Sequence, residues 1–248
     1  MTRQRIGYTV LALCLAGIGA VVRYAHAEGD AQTEDDVQTR ISAISARLAS
    51  IEDRSMRVVA INDIENLQRT YGYYLDKMLW EHVLDLLTED ATLEIGSSGV
   101  YRGKQRIREY LFALSDGKEG PLDGVLYNHM QLQPVITLAA DQRSANGRWH
   151  TLILTGESGS GSGGNWGEAI YENEYRKEGD VWRISRLHSF VRFMAPYEGG
   201  WLNPDPEAIR VYSERPGVPP DGPPTGEYAP FPATFIPPVH FSHPVSGE

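Results

Sequence analysis

Residues 167–178 read Gly167-Glu168-Ala169-Ile170-Tyr171-Glu172-Asn173-Glu174-Tyr175-Arg176-Lys177-Glu178. Glu168, Glu172 and Glu174 alternate with Ala169, Tyr171, Asn173 and Tyr175. A period of two marks a strand with its glutamates toward solvent and its other face toward a core. The same period runs through 125–139, 147–157 and 180–194, so four long strands are predicted. Ser144-Ala145-Asn146-Gly147 and Lys177-Glu178-Gly179-Asp180 carry the Gly and Asn that tight turns need, and each predicts a hairpin. The link 156–165 is rich in Gly and Ser and flexible by composition. It has no lysine and no helix after it, so it reads as a hairpin tip rather than a phosphate cradle.

Upstream the period becomes helical. Lys104 to Leu114 places Ile107, Tyr110, Leu111 and Leu114 on one face. Before it, Asp90–Ile95 and Gly99–Gly103 are short strands around the turn Gly96-Ser97-Ser98-Gly99. Residues 77–88 predict a short helix, with Met78, Leu79, Val83, Leu86 and Leu87 apolar. Residues 61–75 predict a longer one through Ile61, Ile64, Leu67, Tyr71 and Tyr74, weakened at Gly72 and ended by Asp76. Still earlier, Ile41, Ile44, Leu48 and Ile51 recur at spacings of 3, 4 and 3, with Val58 one heptad later. That a/d-like stripe fits a helix packed on its own domain and equally a contact between two copies. Residues 28–37 are polar and predict disorder.

The two ends differ from the middle. Arg3 and Arg5, an apolar Ile6–Val22 and the small-residue pattern Ala25-His26-Ala27 predict a cleavable signal peptide over 1–27. That places the mature chain in the periplasm or outside the cell with no stable membrane anchor. Thirteen of the fifteen prolines fall at 196–244, interleaved with Trp201, Tyr212, Tyr228, Phe231, Phe235 and Phe241. Proline removes a donor and fixes φ, so an extended tail without helix is predicted, its rings docked on the domain or on a neighbouring subunit.

Composition narrows the chemistry. The 248 residues carry a net charge of −10, which falls to −13 without 1–27, because that segment holds Arg3, Arg5, Arg23 and no acid. Such a surface excludes nucleic acid as an expected partner. The single cysteine, Cys14, excludes a disulfide framework and a cysteine zinc site. No GxGxxG stands before a helix, and no GxxxxGK[ST], HExxH or GxSxG occurs, so neither cofactor nor metal is expected.

Helices, two short strands, a helix and four long antiparallel strands make an α+β order. The series resembles the SnoaL-like branch of the nuclear transport factor 2-like superfamily, including its scytalone dehydratase-like members. The residues that carry this are Ile64-Glu65-Asn66-Leu67 through Tyr73-Tyr74-Leu75-Asp76, Trp80, Leu87-Thr88-Glu89-Asp90-Ala91 and Gly99-Val100-Tyr101-Arg102-Gly103-Lys104. Ile107-Arg108-Glu109-Tyr110-Leu111, Asn128-His129 and Val181-Trp182-Arg183-Ile184 continue it. The resemblance implies a curved, mostly antiparallel sheet wrapped on helices as a cone-shaped α+β barrel over 57–195. A linker and N-terminal helix at 28–56 precede it, and the proline/aromatic-rich tail at 196–248 follows as a strap.

It also implies a site. In dehydratase and isomerase members an Asp at the end of the first domain helix orients a His on the first long strand. Here those are Asp76, four residues before Trp80, and His129. The dehydratases' second pocket histidine is absent, since position 156 is Gly and His150 lies six residues early. A carboxylate-oriented imidazole moves protons near neutral pH. Tyr74 is the candidate third catalytic group, although it also falls on the apolar stripe of its helix. Tyr71, Tyr101, Tyr127, Tyr171, Trp80 and His150 are the candidate substrate-binding residues, offering flat faces to an aromatic ligand.

The function this implies is a cofactor-independent lyase or isomerase for a hydrophobic, aromatic, lignin-like molecule. It would work by dehydration or by formaldehyde-releasing C–C cleavage, in a homodimer or homotrimer. The alternatives are an epoxide hydrolase-like enzyme, which needs an Asp–Arg–Asp set, and a non-catalytic periplasmic binding module.

Overall fold

The computed structural model describes residues 31–159, 161, 163–215 and 217–248. The proposed signal peptide lies outside them. The chain forms two compact units, Met1–Met56 and Arg57–Glu248. Among the described residues no helix is long and apolar enough to cross a membrane.

The first helix, α1, spans Ala31–Asp76. It starts inside the stretch predicted to be disordered, and there Asp36 pairs with Arg40 one turn on at 3.2 Å. Gly72 does not break it. A Cβ at that position would stand 2.9 Å from Gln131 Cγ and 3.1 Å from the His129 carbonyl oxygen. Glycine is there because the helix and a strand approach too closely for any side chain.

The predicted helix 77–88 is shorter. Met78 takes a φ of 53°, which ends the first helix's path, and α2 covers only Trp80–Asp85. Strand β1 then begins at Leu87, whose side chain is buried opposite Ile184. Strand β2 (Val100–Arg102) and helix α3 (Lys104–Ala113) follow.

The four long strands are β3 (Val125–Leu138), β4 (Ser144–Glu157), β5 (Gly164–Glu178) and β6 (Val181–Pro196). The turn between β5 and β6 lies where predicted, with Gly179 at a φ of +60°. The turn before β4 does not. Asp141 accepts the Arg143 N–H at 2.9 Å and Gln142 takes the positive φ, so Ser144–Gly147 already belongs to β4. Gly147 serves packing instead: a Cβ there would come 2.8 Å from the Tyr175 ring.

The six strands form one sheet in the order β2-β1-β6-β5-β4-β3. Only β1 and β6 run parallel. The sheet is curved but open, with β2 and β3 as its edges, so the expected barrel does not close. Its concave face covers a core in which Ile64, Trp80, Tyr101, Trp149, Ile153, Tyr171, Tyr175 and Ile184 are almost wholly buried.

The tail departs from expectation in two respects. Pro206–Ser213 is a helix, α4. Asp205 caps it by accepting the Glu207 N–H at 2.9 Å, and Pro206 sits in its first turn. Proline there starts a helix, because the missing N–H would have had no partner anyway. The rest is extended, and several rings dock as predicted. The Tyr228 hydroxyl donates to the Val191 carbonyl, and Phe235 lies 5.9 Å from Phe190. Trp201 does not dock and remains half exposed. The tail also covers an acidic side chain on the sheet's outer face. His240 Nδ1 and Arg148 Nη1 stand 2.8 and 2.9 Å from the Glu172 carboxylate, so Glu172 is not a solvent-facing residue as its alternation suggested.

Candidate active site

The end of α1 meets the edge strand β3 at Asp76 and His129. The Asp76 carboxylate accepts the backbone N–H of His129 at 2.6 Å, which pins strand to helix. The same oxygen lies 3.8 Å from the imidazole Nδ1. That is close enough for electrostatic attraction but too long for a hydrogen bond, and among the described residues Nδ1 has no hydrogen-bond partner. The pair is therefore together, as the resemblance implied, with the carboxylate's short bond spent on the backbone.

A buried polar chain holds the strand from the other side. Trp149 donates to the Tyr175 hydroxyl at 2.9 Å, and Tyr175 and Asn173 both donate to Gln68 Oε1, at 2.8 and 3.0 Å. Gln68 donates to Gln131 at 2.9 Å, and Gln131 donates to the His129 carbonyl at 3.1 Å. Each member has a partner, which makes such a network rigid rather than costly.

The far nitrogen of His129 meets the tail. Its Nε2 lies 3.0 Å from the Tyr212 hydroxyl, supplied by α4. The Tyr127 ring lies 4.4 Å away. Burial lowers the pKa of His129 below the usual histidine value, and Asp76 only partly opposes this. Burial also raises Tyr212 well above the ordinary phenol value. Tyr212 is thus a neutral donor and His129 a neutral acceptor near pH 7. The carboxylate beside Nδ1 favours a proton there, leaving the lone pair on Nε2.

The other candidates scatter. Tyr71 and Tyr171 are buried together, edge to face at 6.3 Å, on the concave side. Burial raises both well above the ordinary phenol value. Tyr74 packs on His82 at 5.1 Å, not on His129, because it follows the apolar stripe of α1. Trp80 is fully buried, and its Nε1 donates to Ser115 Oγ at 2.8 Å, so it is a core residue and not a ligand face. Tyr101 donates to the Val218 carbonyl at 2.8 Å and anchors the tail. His150 points to the opposite face of the sheet, where its Nδ1 lies 2.9 Å from Glu168. The parity of β4 puts it there, since Trp149, Thr151 and Ile153 face inward.

No deep, tyrosine-lined cavity opens beside the imidazole among the described cavities. The space bordered by Tyr71, Val83, Leu93, Ile107 and Leu187 is about 10 Å³, the volume of roughly one water, and neither Asp76 nor His129 lines it. A groove of about 450 Å³ runs outside, bordered by Arg69, Gly72, Tyr73, Asp76, Asn128, His129 and Gln131. Asp76 is its sole aspartate among the described residues, so an Asp–Arg–Asp set is not assembled there. Among the described residues no group of three or more His, Cys, Asp or Glu could hold a metal ion.

Sequence reasoning did not pick out Tyr212. Its signal was an aromatic residue inside the proline-rich tail, with nothing to say which element it would meet.

The fold and the site together make an open α+β cone in which a carboxylate and an imidazole meet where the first helix ends against an edge strand. The SnoaL-like domain matches residues 56–188, and the chain belongs to that family. Comparison with curated proteins gives no match. Among solved structures it is similar to a candidate scytalone dehydratase from Novosphingobium aromaticivorans, at 17% identity and a TM-score of 0.51. That match covers 62% of this chain and 97% of the other. The hexachlorocyclohexane dehydrochlorinase LinA-type3 from Novosphingobium barchaimii is similar at 18% identity and a TM-score of 0.51, over 61% of this chain and 99% of that one. At these identities the likeness shows the shared fold.

Proposed function

We propose that this chain is a cofactor-independent lyase or isomerase for a hydrophobic aromatic small molecule, with His129 as general base and Asp76 as the group that orients it. The observation that carries the reading is the buried imidazole with a carboxylate beside Nδ1 and a neutral hydroxyl donating to Nε2. Such a base accepts a proton without first losing one. Membership of the SnoaL-like family and the dehydratase and dehydrochlorinase named among its structural neighbours support elimination.

In this reading Tyr212 withdraws from Nε2 and substrate takes its place. His129 then removes a C–H proton while hydroxide leaves, giving a double bond, and the imidazolium returns its proton to the hydroxide as water. Alternatively it takes the O–H proton of a hydroxymethyl group, the C–C bond breaks, formaldehyde departs, and the electron pair left on the remaining carbon takes that proton back from the imidazolium. Tyr71, Tyr127 and Tyr171 contact the aromatic rings. The reaction takes place outside the cytoplasm, after loss of 1–27.

The test is a panel of hydroxylated and hydroxymethylated aromatic compounds, followed for formaldehyde and for loss of water by mass. Turnover by the wild type, lost in His129→Gln, supports the proposal. Turnover unchanged in His129→Gln overturns it. The engagement of His129 Nε2 by Tyr212 favours one other reading, a binding module, and binding of panel compounds with no turnover would establish that reading instead.

A further inference from the structure

Helix α1 carries an apolar stripe that is exposed both in the first unit, at Ile44, Leu48 and Ile51, and in the second, at Val58. Ile44, Leu48, Ile51 and Val58 are 63, 49, 59 and 67% exposed. Val58 is exposed while Ala60 and Ile64, in the same unit, are buried. The stripe's phase is therefore not the phase that packs on the core. We propose that Val37–Val58 is the seam of a parallel coiled coil that joins three copies of this chain.

Three features commit the stripe to that occupant. The first is the frame. Ile41, Leu48 and Ser55 take position a, and Val37, Ile44, Ile51 and Val58 take position d. This repeat runs through three heptads, about 33 Å of helix at 1.5 Å per residue. The second is charge. Arg40, Arg47 and Arg54 all fall at g, and Glu52 falls at e. In a parallel pairing g meets the following e of a neighbour, which sets Arg47 against Glu52 of the next copy. An antiparallel pairing sets g against g, and so arginine against arginine. The third is shape. Parallel dimers take β-branched residues at a with Leu at d, whereas Ile at both positions, or Leu at a with Ile at d, selects higher assemblies. Here Ile41 with Ile44 and Leu48 with Ile51 are those two higher-order combinations.

The test is sedimentation equilibrium on the full chain at micromolar concentration. The expected result is a trimer that becomes monomeric on Leu48→Asp with Ile51→Asp, while the melting temperature of the folded unit stays the same. Glu52→Arg should weaken assembly, and adding Arg47→Glu should restore it. In a Cys14→Ser background, Ser55→Cys should cross-link copies on oxidation. A monomer, a dimer, an assembly that survives the double substitution, or an absence of cross-links would overturn the proposal. So would a chain that stays monomeric but binds anionic lipid vesicles, since the stripe would then belong to a membrane surface.

Discussion

At the scale of single residues, the account rests on how one imidazole is held. His129 and His188 are both buried and both lowered. His188 is pushed down to about 4 by burial; the Glu94 carboxylate opposes this and Arg186 adds to it. Burial acts on His129 in the same direction. A histidine whose native pKa lies below its unfolded value stabilises the fold fully only above the unfolded pKa, near 6.5. As pH falls below that, the unfolded chain takes up the proton first. The two groups should therefore cost up to about 1.4 kcal/mol each per pH unit between roughly 6.5 and their native values. Urea titrations at pH 7 and 5.5 check this, and replacement of His188 by Gln should flatten the slope. If the reaction proposed for His129 is right, kcat/KM should stay constant to below pH 6.5 and then fall. Asp76→Asn should fold, because an amide oxygen can still accept the His129 N–H, but turnover should drop by about 10²-fold. Circular dichroism and initial rates separate those two effects.

At the scale of elements, β4 and β5 could be read because one face of each is drier than the other, whereas residues 187–191 of β6 are buried on both faces. The hairpin before β4 was misplaced for a definite reason. Gly147 looks like a turn residue, yet it is a strand residue whose missing side chain makes room for Tyr175. Gly72 is the same kind of position on α1. In an open helix Gly→Ala gains about 1 kcal/mol. Here the new methyl would press on the His129 carbonyl and Gln131, so Gly72→Ala should lower the melting temperature and disturb the site. A rise in melting temperature would show that β3 yields freely. Helix α4 was missed because proline was read only as a breaker, when Asp205-Pro206 is also a helix start. Asp76 and His129 were legible through family resemblance. Tyr212 was not, because its partner lies 83 positions away in sequence and no local pattern encodes that contact.

At the scale of the whole molecule, the tail is part of the domain. It covers Glu94 through Thr225, Glu172 through His240, and the base through Tyr212. Truncation after Ala195 should lower the melting temperature and expose apolar surface, read by dye binding. An unchanged melting temperature would make the tail a dispensable appendage. The claim at the centre is that His129 is the group that takes the proton. The most direct measurement is the turnover of His129→Gln relative to wild type at pH 7, on whichever panel compound the wild type converts. Both should have the same fold by circular dichroism. The account requires a loss of about 10²-fold or more; a rate within a few-fold of wild type would contradict it.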